Sequence, residues 1–163
     1  MMKLSRSYEF EARTPDLATM LSMPGLDYLR GILRGEHPAA PISATLDFYP
    51  TEFDHGRAVF KGIPQRFAYN PLGSVHGGWA ATILDSALGC AVHTTLPAGK
   101  YYTTVDLSIS LVRAITDKTK GVTCEAHVIH SGGTVATAEA KLVDDRGQLC
   151  AHGTTTCLIM SPR

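Results

Sequence analysis

Asn70-Pro71-Leu72-Gly73-Ser74-Val75-His76-Gly77-Gly78-Trp79-Ala80-Ala81-Thr82-Ile83-Leu84-Asp85 is the stretch whose reading decides the fold. From Trp79 onward it has the pattern of a helix. Trp79, Ile83, Leu84, Ala87, Leu88 and Ala91 recur at helical spacing within a predicted span from about Gly77 to Thr94. Most other side chains in that span are small, so the helix is expected to be wrapped by protein on nearly every side. Asp85 is the one formally charged side chain between Arg66 and Lys100. A lone carboxylate in an apolar helix costs free energy unless it is paired or put to use.

Working outward, the last third of the chain reads as strands. Tyr102 to Val112 alternates, which predicts Thr103, Val105, Leu107, Ile109 and Leu111 on one face and Thr104, Asp106, Ser108 and Ser110 on the other. Val122–His130, Thr134–Val143 and Leu149–Met160 follow, joined by turns at Ser131-Gly132-Gly133 and Asp144-Asp145-Arg146-Gly147. Upstream, Ile42–Tyr49 and Arg57–Ile63 read as two more strands. Short connections predict an antiparallel sheet, and one long apolar helix beside it predicts an α+β fold with the sheet curled around the helix. The first part of the chain, 1–41, reads as a helical extension. Thr14 is its expected N-cap and Pro15 its first helical position. Pro24-Gly25 then breaks the pattern before a second helix with Leu26, Leu29, Ile32 and Leu33 on one face. The main domain is expected over 42–163.

Composition narrows the function. At 163 residues the chain is the size of one domain with a sizeable core. Lys+Arg and Asp+Glu are both 15, and no basic run is visible, so no nucleic-acid partner is expected. No uninterrupted apolar window has transmembrane length, which argues against a membrane partner. The segment Met1 to Glu9 is too charged for a signal peptide, so a cytoplasmic protein is expected. Cys90, Cys124, Cys150 and Cys157 form no C-x-x-C pair and read as buried free thiols.

Chemistry concentrates around the buried helix. His76-Gly77-Gly78 places free backbone N–H groups at the positive end of the helix dipole, where a carbonyl oxygen gaining charge can be held. The bland alternative is a tight entry turn. Asp85 is the candidate acid, base or nucleophile; its alternative is an Asp bonded to nearby hydroxyls. Gly77 and Asp85 are eight residues apart, about 12 Å at 1.5 Å per residue. They cannot readily act on one carbonyl from one chain, so joint action implies two antiparallel copies of the helix in a homodimer with two equivalent sites. Asn70, before a proline, reads as a turn residue, and Thr104 as an ordinary strand threonine. Cys90 and His93 read as a core thiol and a helix-end histidine. His127 and His130, three apart on a strand, are expected on opposite faces. Cys150 and His152 are expected to share a face but do not amount to a metal site. G-x-S-x-G, Walker A and G-x-G-x-x-G motifs are absent.

Together, Asn70-Pro71-x-Gly73-x-Val75-His76-Gly77-Gly78, six residues, Asp85, and then Thr103-Thr104-Val105-Asp106-Leu107 resemble the hotdog-fold acyl-CoA thioesterases. The nearest branch is the PaaI-like, phenylacetate-pathway group related to 4-hydroxybenzoyl-CoA thioesterases. The resemblance covers about Ile42 to Met160. It implies a long central helix wrapped by a curved antiparallel sheet, in dimers or tetramers with sites between subunits. It implies hydrolysis of a small aromatic or short- to medium-chain acyl-CoA, with CoA as part of the substrate and no separate cofactor or metal. By resemblance, Gly77 donates its N–H to the thioester oxygen, Asn70 orients thioester or water, and His76 matches the motif histidine. Asp85 of the partner chain attacks or activates water, and Thr104 holds that water. CoA contacts fall on Arg113 and on His130, Ser131, Gly132, Gly133, Thr134 and Val135. Ala114 stands where the family commonly has proline. Two alternatives remain open: a hydroxyacyl-thioester dehydratase or hydratase using His76 and Asp85, and a non-catalytic acyl-CoA-binding module. The N-terminal helices could cover the acyl pocket or pad the outer surface.

Overall fold

The computed structural model describes residues 3–11 and 16–162. Thr14 and Pro15, the expected helix start, lie outside the described residues. Helix α1 (Leu17–Leu21) is capped by Asp16, whose side chain accepts from the Ala18 N–H at 3.0 Å. Helix α2 (Gly25–Leu33) follows. Then come α3 (Pro41–Leu46), β1 (Phe48–Asp54), β2 (Arg57–Gly62), α4 (Gly77–His93), β3 (Tyr101–Leu111), β4 (Val122–Ser131), β5 (Val135–Asp144) and β6 (Leu149–Met160). The six strands form one antiparallel sheet in the order β1-β2-β4-β5-β6-β3. The sheet curves around α4, which touches all six strands. This is the predicted α+β architecture. Ile83, Leu84, Ala87, Leu88, Ala91 and Val92 of α4 are fully enclosed. No described helix is long and apolar enough to cross a membrane.

The first expected strand begins later than its β-branched start suggests. Residues 41–46 are helical because Pro41 sits in the first turn, where its fixed φ and missing N–H cost nothing. Asp47 then turns left-handed at φ 59° and releases the chain into β1. The helix is bolted to the core by Trp79, 3% exposed, whose indole N–H donates to the Leu46 carbonyl at 2.7 Å. A glycine is needed opposite, because a Cβ at Gly62 would lie 2.8 Å from the Trp79 ring.

The expected faces of β3 hold only beyond Val105. The pairing with β6 runs Thr104↔Cys157 and then Asp106↔Thr156, so Val105 is an extra, bulged residue. One inserted residue reverses the alternation. Thr104 therefore lies on the helix side with Leu107 and Ile109, while Val105, 59% exposed, faces out.

Trp79→Ala removes a fully packed ring and the side-chain hydrogen bond that α4 gives to the end of α3. It is expected to cost about 3–5 kcal/mol of stability, read as a fall in the urea midpoint with an unchanged slope.

Candidate active site

The tip of α4 is built by a short loop. The Asn70 carboxamide oxygen accepts from the Leu72 and Ser74 N–H groups at 2.9 and 3.3 Å, and its NH2 donates to the Ser74 hydroxyl at 3.0 Å. The turn residue read in the sequence is thus real, and Gly73 at φ +85° completes it. His76 caps the helix: its Nδ1 accepts from the Gly78 N–H at 2.8 Å. With Gly78 satisfied, the Gly77 N–H is left without a partner among the described residues. Gly77 approaches the sheet edge so closely that a Cβ there would lie 2.6 Å from Leu111 Cδ1. A second bulge, at Cys150 of β6, turns one carbonyl toward the end of β3 and accepts from the N–H groups of Val112 and Arg113 at 2.9 and 3.0 Å. The result is a cavity of about 250 Å3 lined by Asn70, Ser74, Gly77, Leu111, Arg113 and Cys150.

Two helical turns further along, Asp85 is half-buried. The Thr104 hydroxyl donates to its Oδ1 at 3.3 Å, a pairing made possible by the bulge at Val105. Oδ2 has no partner among the described residues. A separate cavity of about 220 Å3 opens here, lined by Asp85, Ser86, Cys90, Tyr102 and Thr104 together with residues of α2, α3, β1 and β2. One chain therefore divides the predicted residues between two places. Asn70, His76, Gly77 and Arg113 gather at the tip of α4, and Asp85 and Thr104 at its middle. The hairpin His130–Val135 lies at the far end, where the Ser131 hydroxyl meets Thr95 Oγ1 at 2.9 Å and the Thr134 carbonyl accepts from the Ile159 N–H at 2.7 Å. Strand β6 measures the gap, since Arg113 is bonded at Cys150 and Val135 pairs with Leu158. Eight residues at about 3.3 Å each separate the two CoA segments by roughly 26 Å.

Comparison with known proteins bears on the fold. A family model described as "Thioesterase superfamily" matches residues 72–151. That segment is similar to a thioesterase-superfamily domain. A protein of Halobacterium salinarum bearing an esterase name is 38% identical over 73 residues, 44% of this chain and 46% of that protein, so the match spans less than half of either. A solved phenylacetic acid degradation-related protein of Ralstonia eutropha JMP134 superposes with TM-score 0.73 at 28% identity, covering 80% of this chain and 98% of that one. The smu.793 protein of Streptococcus mutans, solved bound to acetyl CoA, superposes with TM-score 0.65 at 20% identity over 72% and 91%. The fold is the hotdog fold that the residues resembled.

The other constellations resolve as structure. Burial pushes the Cys90 thiol up to about 12, helped by the charge of Asp85, so it is no ready nucleophile. The two remaining face assignments are corrected by bulges. Ile129 is an extra residue in β4, which puts His127 and His130 on the same outer face instead of opposite ones. The Cys150 bulge buries that thiol while His152 points out, so the two do not share a face. A wider groove of about 570 Å3 runs over this outer face past Glu125, His127, Glu139, Lys141 and His152, away from α4. Its Glu125 is engaged by Arg57 at 2.6 Å and by His127 at 3.1 Å. What the sequence reading missed is the wall of the Asp85 cavity: Ser86, Tyr102, and Leu29 and Ile32 of α2. The apolar stripe of α2 was its signal, but a stripe does not reveal which surface it meets.

His93 is buried between Tyr28 and Tyr102, with ring centroids 6.1 and 5.7 Å away, and its Nε2 has no hydrogen-bond partner among the described residues. Desolvation pulls its imidazole down to about 4. Between that value and an unfolded value near 6.5, the unfolded chain binds the extra proton. Its contribution is therefore complete above pH 6.5 and is lost as pH falls toward 4, to the extent of about 3 kcal/mol. Denaturation midpoints followed from pH 7 to pH 4 are expected to fall more steeply for the native chain than for His93→Phe.

Proposed function

We propose that this protein is an acyl-CoA thioesterase, acting in the cytoplasm on a small aromatic or short- to medium-chain acyl-CoA. Its site is shared by two chains of a homodimer, or of a tetramer built from such dimers. Water adds to the thioester carbonyl, the C–S bond breaks, and the free acid and CoA leave; no cofactor beyond the substrate's own CoA takes part. The Gly77 N–H of one chain receives the carbonyl oxygen as it becomes an oxyanion. Asn70 holds the loop beside it and orients the thioester, and His76 sets the helix tip by capping it. Asp85 of the other chain uses its free Oδ2 to take the proton from water or to attack the carbonyl itself, with Thr104 steadying Oδ1 and the water. Arg113 of one chain and His130 to Val135 of the other grip CoA through charge and backbone amides.

The observation that carries this reading is the split itself. The half-site with Gly77, Asn70 and Arg113 and the half-site with Asp85 and Thr104 open at different points along one rigid helix. The two CoA segments are divided in the same sense. Strand β3, which borders both half-sites, is an edge strand with Val105 and Leu111 each 59% exposed. Two such edges meeting antiparallel would bring each half-site to its complement. The acetyl-CoA bound by the Streptococcus mutans neighbour supports CoA thioesters as the ligand class. His76 spends its Nδ1 lone pair on Gly78 and keeps its proton on Nε2, which favours hydrolysis over a dehydratase that needs this ring as its base.

Thiol release from a panel of aliphatic and aryl CoA thioesters tests the activity. Asp85→Asn is expected to abolish turnover while the dimer persists on size exclusion; unchanged turnover on the best substrate ends the assignment. Gly77→Pro removes the proposed donor at a first-turn position that tolerates proline, after a residue already extended at ψ 138°. Once the Leu111 side chain rotates aside, a loss of about 10²–10³ in kcat is expected.

The shared site makes a further demand. Mixed Asp85→Asn and Gly77→Pro chains form heterodimers in which one of the two sites is intact. About a quarter of native activity should return for random mixing of equal amounts; no recovery in verified heterodimers would place both groups in one chain's site.

A further inference from the structure

One wall of the cavity at Asp85 is made by residues that precede the family-matched segment at 72–151. Leu29 and Ile32 come from α2, Ala39 and Ala40 from the link that follows, and Ser43 from α3. We infer that this N-terminal wall, chiefly Ile32 and Ala40, sets the largest acyl group the site accepts. The inference rests on the thioesterase reading above and names what fixes its substrate range.

The wall is built into the fold. Helix α2 begins at Gly25, whose N–H donates to the Leu96 carbonyl at 3.0 Å and where a Cβ would run into the His93 carbonyl. Arg30 ties the same helix to β1 through the Phe53 carbonyl at 3.1 Å and Asp54 at 2.9 Å. The end of α3 has carbonyls that the helix cannot satisfy. Arg6 donates to those of Thr45 and Ala44 at 2.6 and 2.9 Å while lying 3.9 Å over the Phe67 ring, and Trp79 takes that of Leu46. A wall anchored from three sides resists displacement by a longer chain.

Its dimensions are selective. The space, open on one side, is about 220 Å3, between the ~150 Å3 apolar cavity that holds a benzene ring and the ~300 Å3 lower bound of sites for drug-sized ligands. An acyl group the size of one ring, or a chain of like bulk, fills it. Each further methylene must then displace a wall residue or stay in water, whereas each methylene that finds apolar cover gains about four-fold in affinity.

Calorimetry with non-hydrolysable S-alkyl-CoA thioethers, ethyl to dodecyl, tests the wall apart from turnover. The full chain is expected to bind more tightly with each added carbon up to a limit and then to plateau or weaken. Ile32→Ala should move that limit up by one or two carbons, and Ala40→Leu, which adds bulk at an exposed position, should move it down. The affinity ratio of the longest to the shortest ligand should change about ten-fold in opposite directions. An identical limit in both folded variants overturns the inference and leaves the hydrolase reading standing. A shifting limit in a protein that releases no thiol from any acyl-CoA sinks the hydrolase reading and keeps the wall. Failure of the native chain to bind any member of the series overturns both.

Discussion

A helix sealed inside a sheet cannot bend to bring its own groups together, and the architecture follows from that constraint. Helix α4 touches all six strands, and its core-facing positions are fully buried. Its length is therefore fixed by backbone geometry, with Gly77 at the open tip and Asp85 about 12 Å inward at 1.5 Å per residue. Close packing holds this distance rigid. A carboxylate tolerates such a helix because its surroundings are not uniformly apolar. The Thr104 hydroxyl meets one oxygen, and a cavity lies beside the other. Under the proposed mechanism, this rigidity is what makes a second chain necessary.

The sheet, in turn, aims its side chains through irregularity. Extra residues at Val105, Ile129 and Cys150 each reverse the alternation of a strand. At Val105 the reversal turns Thr104 toward Asp85. At Cys150 it frees a carbonyl that holds the N–H groups of Val112 and Arg113 where β3 ends. A sheet with perfect period-two strands would keep Thr104 on the outer face and leave Asp85 without this hydroxyl. The bulges thus connect strand register to the chemistry of the helix.

These features explain what could be read from the residues alone. The central helix, the antiparallel strands and the α+β class were legible because each depends on a periodic pattern sustained over ten or more residues. The tip of the helix was legible because Asn70 to Gly78 is contiguous and its turn and cap act locally. The faces of Thr104, His130 and Cys150 were not legible: one inserted Val, Ile or Cys looks like any other strand residue. Residues 42–46 were misread for a related reason. Their β-branched start suggests a strand, while the decision lies with Pro41 at one end and the left-handed Asp47 at the other. The N-terminal helices were legible as one possible cover of the pocket, but not which residues form the wall, because Leu29, Ile32 and Ala40 reach Asp85 only through tertiary packing across more than forty residues of chain.

One further relation orders the site. Strand β3 carries Thr104 near its beginning and leads to Leu111 and Arg113 at its end, so it borders the Asp85 cavity first and the Gly77 cavity last. The neighbouring helix presents the same halves in reverse, Gly77 first and Asp85 later. Strand and helix are thus antiparallel carriers of one layout. A two-fold axis crossing β3 between the cavities maps each half-site toward the other's position while pairing two exposed strand edges. Edge pairing would satisfy backbone groups that a terminal strand leaves open and cover Val105 and Leu111. In the proposed dimer, the contact that removes this exposed edge is therefore also the contact that completes the reaction centre, so a chain that loses assembly should lose activity with it.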